Sequence, residues 1–274
     1  MMYELFDEAS HFFYGIPPWS VSLIKIVVLL FALELGYWVG LTKHRSTSEQ
    51  TPDSEGVILA STFALLGLIF AFTFSASVER YDQRKQEVIM EANAIGTAFL
   101  RADLIADPGR TEIKRTLLDY ARLRIPPEEG KLGPDKQKEL IKLPSEIISG
   151  LWPITMAAIS RSPQSGAVEI SLVNSVNEAI DQSAVRNAAV LDRLPAAILW
   201  MLVLISMFVM AEAGYKAGLS GRISRPRYIG FVMVLALVMA AIADYDRPQE
   251  GLIRVDQASM INTVSDMEAW FNSR

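Results

Sequence analysis

"RYDQRKQEVIMEANAIGTAFLRADL", Arg80–Leu104, is dense in charge, yet it begins two residues after "LLGLIFAFTFSAS", Leu65–Ser77, which has the composition of a membrane span. Neither Pro nor Gly stands at the join, so the helical pattern runs unbroken from an apolar segment into a polar one. In the polar part Tyr81, Val88, Ala92, Ile95, Phe99 and Ala102 follow three–four spacing, with one gap, and make a narrow apolar seam. Around the seam lie Arg84–Glu87, Glu91, Asn93, Thr97 and Arg101. A solvated helix has no use for Asn93, Gly96 and Thr97 in its middle, since these are poor helix formers, whereas a hydrogen-bonded helix at a protein junction does, and Gly96 suits a close helix crossing. Glu91, Asn93 and Arg101 are therefore expected to form a polar junction between helices or subunits. Unbroken from Gly56 to Ile105, the element would be roughly 75 Å long at about 1.5 Å per residue.

Outward from this stretch, the apolar residues of the 274-residue chain cluster in Val21–Leu41, Val57–Ser77, Pro195–Ala213 and Tyr228–Ala243. Each is close to the roughly 20 residues that cross about 30 Å of hydrocarbon. Nothing alternates apolar with polar for long enough to suggest a sheet. The expected fold is all-α and integral to a membrane, with a large helical water-side region between spans two and three. The expected divisions are an N-terminal amphipathic segment at 1–20, spans at 21–42, 56–77, 195–214 and 228–244, the water-side region at 78–194 and a tail at 245–274. Inside the water-side region, helices are expected over Thr111–Ile125, Gln137–Leu143, Ser145–Ile159 and Val168–Leu194, with Pro144 separating the middle two and Pro153 kinking or breaking the second of them. In the tail, Met260, Ile261, Val264, Met267 and Phe271 share one face of a short helix. The acidic, aromatic N-terminus lacks the pattern of a signal peptide, so span one is expected to stay in the protein.

Much chemistry lacks its parts. The chain has no cysteine, and its histidines are His11 and His44. A thiolate nucleophile, a Cys-ligated metal and a Ser-His-Asp arrangement are excluded or incomplete. Asp244 and Asp246 lack calcium-loop spacing. The net charge of −5 argues against nucleic acid as a partner. No enzyme activity, cofactor or metal is expected.

Three intramembrane features carry information. Span two has a stripe of small residues, Gly56, Ala60, Ala64, Gly67, Ala71 and Ser75, which would let a neighbouring helix approach closely. Leu66, Phe70 and Phe74 recur beside it every four residues. If several such helices surround an axis, these three line a pore as an apolar ring that gates by dewetting; otherwise they pack against a neighbouring helix. Glu34 lies inside span one, where an ionisable group is costly and calls for a polar cavity or a partner; Lys25, nine residues away, lies on the opposite helix face. Gly36 and Gly40 form a GxxxG pair suited to a helix contact.

"FTFSASVERYDQRKQEVIMEANAIGTAFLRADL", with "DRLP" before span three and "DYDRPQEGLIRV" after span four, resembles the bacterial and plant bestrophin-like family, whose function is unknown. The likeness covers roughly 70–123 and 186–255. It is distantly similar to the true bestrophins, which are pentameric anion channels with four spans per subunit, an apolar neck on span two and a cytoplasmic helical region. The resemblance implies a homo-oligomer, pentameric by likeness, that sits among membrane lipid in a bacterial inner membrane and passes small ions. Leu66, Phe70 and Phe74 would then be its neck. No acidic cluster like the bestrophin calcium clasp is present. A membrane-anchored scaffold or sensor, whose helical region binds a protein partner, is the competing class.

Orientation sets two signals against each other. The short turns carry Lys43, Arg45, Lys216, Arg222, Arg225 and Arg227, which by the rule for short loops places the turns in the cytoplasm. Arg80, Arg84, Lys85, Arg186, Arg193, Arg247 and Arg254 flank the spans on the other side, and the resemblance places the large region in the cytoplasm. The expectation adopted is the cytoplasm.

Overall fold

The structure, a computed structural model, describes residues 18–46, 54–127, 134–161, 165–247 and 253–273. The elements are α1 (Pro18–Ser46), α2 (Ser54–Arg101), a 3-10 turn (Ala102–Leu104), α3 (Gly109–Leu123), α4 (Pro134–Arg161), α5 (Gly166–Leu191), α6 (Ala196–Leu219), α7 (Arg225–Tyr245) and α8 (Ala258–Asn272). No strand occurs among the described residues. Four helical segments, Ser20–Arg45, Gly56–Leu104, Gly166–Leu219 and Arg225–Tyr245, contain stretches long and apolar enough to cross a membrane. The expected amphipathic segment at 1–20 lies outside the described residues except for its last three. The charged stretch does continue the apolar one: α2 is a single helix of 48 residues.

Two compact units divide the chain. The first comprises Met1–Glu79 with Leu194–Asp246. Its closest helix pair is α1 on α6, and glycine makes that closeness possible. A Cβ on Gly36 would lie 1.9 Å from the Ala211 carbonyl oxygen, and one on Gly214 would lie 2.0 Å from that of Leu33. Gly40 and Gly218 repeat the arrangement one turn on, against the carbonyl oxygens of Tyr215 and Tyr37. Two GxxxG pairs thus interlock along helices whose numbering rises together, as in close helix packing in lipid. Leu29, Leu33, Leu66, Leu202, Val209, Met210, Val232 and Ile242 fill the core around them. Gly221, at φ +66°, makes the left-handed turn between α6 and α7. The Asp246 carboxylate accepts the Leu194 N–H at 2.9 Å and ties the end of α7 to the segment before α6.

The second unit comprises Arg80–Arg193 with Arg247–Arg274. Val88, Ile95 and Phe99 of α2 meet Ile113, Leu117 and Tyr120 of α3, Leu151 of α4, Leu172 and Val176 of α5, and Met260, Val264 and Met267 of α8. The seam expected on α2 is therefore buried. Its gap is filled by Arg84, which is only 3% exposed.

Three expectations are corrected. α4 is one helix through both Pro144 and Pro153, so the first does not separate two helices and the second does not break one. Each proline removes one backbone bond, but Ile148, Leu151, Thr155 and Ala158 are buried along one face, so packing holds the helix together across both. Ile261 is 48% exposed and does not share the buried face of α8. Gly96 makes no close helix crossing: a Cβ there would meet only a Thr263 methyl at 3.8 Å.

Candidate functional site

α2 carries a different site in each unit. In the second unit, Glu91 has no solvent exposure. Its carboxylate accepts the Tyr120 hydroxyl at 2.5 Å, Arg124 Nε at 3.1 Å and Arg186 Nη1 at 2.5 Å. Arg124 Nη1 also donates to Asn187 Oδ1 at 2.8 Å. Arg186 Nη2 donates to Gln257 Oε1 and to the Arg124 carbonyl. The Glu91 carboxylate thus joins α2 to the end of α3 and to α5, and Arg186 extends the network to the segment before α8. Burial, and then the Glu91 charge, hold the Tyr120 hydroxyl far above the ordinary tyrosine range, so it stays a neutral donor. Burial lowers the Arg186 pKa, against the opposing pull of Glu91.

Two more buried cations stand nearby on the chain. Arg84 donates from Nε to the Ala189 carbonyl at 3.1 Å and from Nη2 to the Asp192 carbonyl at 2.5 Å. It therefore caps the C-terminal end of α5, where a cation complements the helix dipole. Lys114, fully buried, pairs with Asp103 at 2.7 Å and lies 4.3 Å and 3.8 Å from the ring centroids of Phe99 and Trp270.

The structure separates the three residues expected at the junction. Only Glu91 is buried in it. Asn93 is exposed. Arg101 donates to the Ser171 carbonyl at 3.0 Å. Asn93 and Arg101 instead line an open cleft with Met90, Thr97, Asn174 and Glu178, because positions two and ten residues on from Glu91 fall on other faces of the helix. The residues that complete the junction, Tyr120, Arg124 and Arg186, were not expected. A trace of them is present in the sequence. Arg186 sits in "AVRNAAV", a lone cation among small apolar residues, and Tyr120 and Arg124 are one helical turn apart.

In the first unit, Leu66 and Phe70 are 1% and 6% exposed and pack in the core of the four spans. A side chain buried inside one chain cannot line a pore between chains, so the expected ring is corrected at both positions. Phe74 is 37% exposed and stacks edge-on to Tyr245 with ring centroids 5.7 Å apart. Ala60, Ala64, Gly67, Ala71 and Ser75 are all exposed, as are Leu65, Leu68 and Phe72 on the adjoining arc. Glu34 has the partner that its position calls for: Arg225 Nε lies 2.8 Å from Oε1 and Nη2 3.4 Å from Oε2. No group of three His, Asp or Glu side chains able to hold a metal occurs among the described residues.

The model of the Bestrophin-like domain matches residues 26–260. No curated protein sequence matches the chain. Among solved structures, a bacterial bestrophin homolog from Klebsiella pneumoniae carrying a single substitution is similar at a TM-score of 0.62 and 13% identity, covering 90% of this chain and 99% of that one. Another structure described as a bacterial bestrophin homolog from the same organism matches at a TM-score of 0.57 and 13% identity, over 90% and 97% of the two chains. At this identity the likeness concerns the fold.

Proposed function

The chain belongs to the bestrophin-like family, and on that premise we propose that it assembles as an oligomeric ion-conducting pore with the spanning half of α2 around the axis. The observation that carries the reading is how little of α2 its own chain covers. Of its most apolar stretch 17% is buried, against 33%, 44% and 28% for the other three spans. The span with the most to gain from association is the one the family places at its neck. Its exposed arc has two parts. Ala60, Ala64, Gly67 and Ala71 are small enough to seat a neighbouring helix. Leu68 and Phe72, 51% and 67% exposed, are large, apolar and one turn apart. In the proposed assembly these two replace Leu66 and Phe70 as the ring that excludes water and gates by widening.

Five copies, a preference for anions and a bacterial inner membrane with the region 80–193 in the cytoplasm are part of the same proposal, suggested by the resemblance to bestrophins. Flux of chloride from liposomes tests the reading. The double variant Leu68→Ala/Phe72→Ala is expected to leak faster than the native protein and to fold normally. Leu66→Ala/Phe70→Ala is expected to lose stability, at about 2–5 kcal/mol for each buried side chain removed. No flux from either the native protein or the Leu68/Phe72 variant would overturn the pore. It would favour a membrane-anchored scaffold.

A further inference from the structure

The membrane end of the first unit gathers cations from three parts of the chain. Lys43 and Arg45 come from the last turn of α1, Lys216 from the last turn of α6, and Arg222, Arg225 and Arg227 from the α6–α7 turn and the start of α7. The contacts bring these parts together. Lys43 Nζ donates to the Tyr215 hydroxyl at 2.9 Å. The His44 ring lies 3.4 Å from where a Cβ on Gly221 would stand, and Lys216 Nζ lies 2.6 Å from the equivalent point on Gly56 at the start of α2. Glu34 neutralises Arg225. Arg222 and Arg227 are exposed and make no ion pair among the described residues.

From Gly214 to Ala243 the sequence has no acidic residue. The α6–α7 turn itself therefore holds cations with no acid beside them in sequence. Its place is also telling. Arg222 and Arg227 bracket the start of an apolar span, with Tyr228 next in line, at the depth where lipid phosphates lie. A cation there is attracted by an anionic leaflet, by about 1 kcal/mol per Lys or Arg.

We propose that this basic end, with Arg222 and Arg227 as its principal ligands, binds the phosphate headgroup of an anionic phospholipid. Lys43 and Lys216 supply the surrounding positive field. The site is separate from the pore reading and does not depend on it.

The full chain purified in detergent provides the test. Its thermal unfolding midpoint and the lipid it retains are compared after addition of phosphatidylglycerol or of phosphatidylcholine. The native protein is expected to rise in midpoint with phosphatidylglycerol only, and to retain it preferentially. Arg222→Gln/Arg227→Gln is expected to lose roughly 25-fold in that preference, taking about fivefold per cation. Arg222→Lys/Arg227→Lys keeps most of it. Lys85→Gln/Arg115→Gln, which removes the same charge from exposed positions in the second unit, keeps all of it. Equal stabilisation by both lipids, or an unchanged preference in the Gln variant, overturns the proposal. So does an equal midpoint rise with inorganic phosphate, which would mark a free-anion site.

Discussion

Glu91 occupies a position where an isolated charge could not remain. Three donors reach its carboxylate from two other parts of the fold, and the two arginines among them are themselves buried. Breaking such a buried pair from one side typically costs about 3–5 kcal/mol, because the remaining charge is stranded. Arg186→Ala is expected to lose about that much in denaturant unfolding of the full chain in detergent. Arg101→Ala, whose bond is to one backbone carbonyl beside an open cleft, should lose no more than about 1.5 kcal/mol. Similar losses in the two variants would contradict the placement of the junction. Tyr120 supplies a second test. Its folded pKa is raised above the ordinary 10.0, so the folded state binds that proton more tightly than the unfolded state. That stability is fully present below about pH 10 and is lost as the pH rises towards the folded value. Tyr120→Phe should therefore show the shallower decline in stability above pH 10, by up to about 1.4 kcal/mol per pH unit. At this scale the sequence was legible in part. Glu91 stood out as a charge beside an apolar seam, but its partners lie 29, 33 and 95 residues away, beyond any helical spacing.

Helices were easier to read than the faces they bury. Spans and breaks follow from hydropathy, from Pro195 and from the Asp107-Pro108-Gly109 stop, and all of these mark real boundaries between elements. Inside lipid, however, the outside of a bundle is as apolar as its core, so periodicity in span two cannot separate buried Leu66 and Phe70 from exposed Leu68 and Phe72. In the water-side half of the same helix, water penalises exposed apolar groups, and the seam there was legible. Glycine is the exception within the membrane, because close approach leaves a mark in the sequence. Gly36 and Gly40 pointed to a contact, and the structure supplies the matching pair, Gly214 and Gly218. Gly214→Val would press a side chain into the backbone of α1. It is expected to cost at least the roughly 1–3 kcal/mol of ordinary overpacking. Gly230→Ala, with nothing within 4 Å of the added atom, should be neutral or gain up to about 1 kcal/mol in helix propensity. Heat inactivation of the two variants in detergent reads the difference. Equal behaviour would mean that α1 and α6 are not so closely packed.

For the whole chain the open choice is which side of the membrane holds the region 80–193. With four spans, that region and the two short connections fall on opposite sides. The short connections carry six cations, a bias that taken alone would hold them in the cytoplasm. Against it stand the seven cations that flank the spans on the other side, and the family likeness. At least three of those seven also have structural work. Arg84 caps α5, Arg186 binds Glu91, and Arg80 lies 3.2 Å from Asp192. These cations reflect the needs of the fold as well as insertion, which weakens a pure count on both sides, since Arg225 is likewise engaged with Glu34. With counting blunted, we propose the cytoplasm for the region, as the resemblance to bestrophins implies. The chain has no native cysteine, so single replacements report cleanly. Ser165 and Ser220 are both exposed, one before α5 and one after α6. In cells with a permeable outer barrier and a sealed inner membrane, an impermeant maleimide is expected to label Ser220→Cys at once. Ser165→Cys should react only after the membrane is opened. The reverse pattern would put the basic α6–α7 turn in the cytoplasm and turn the whole molecule over.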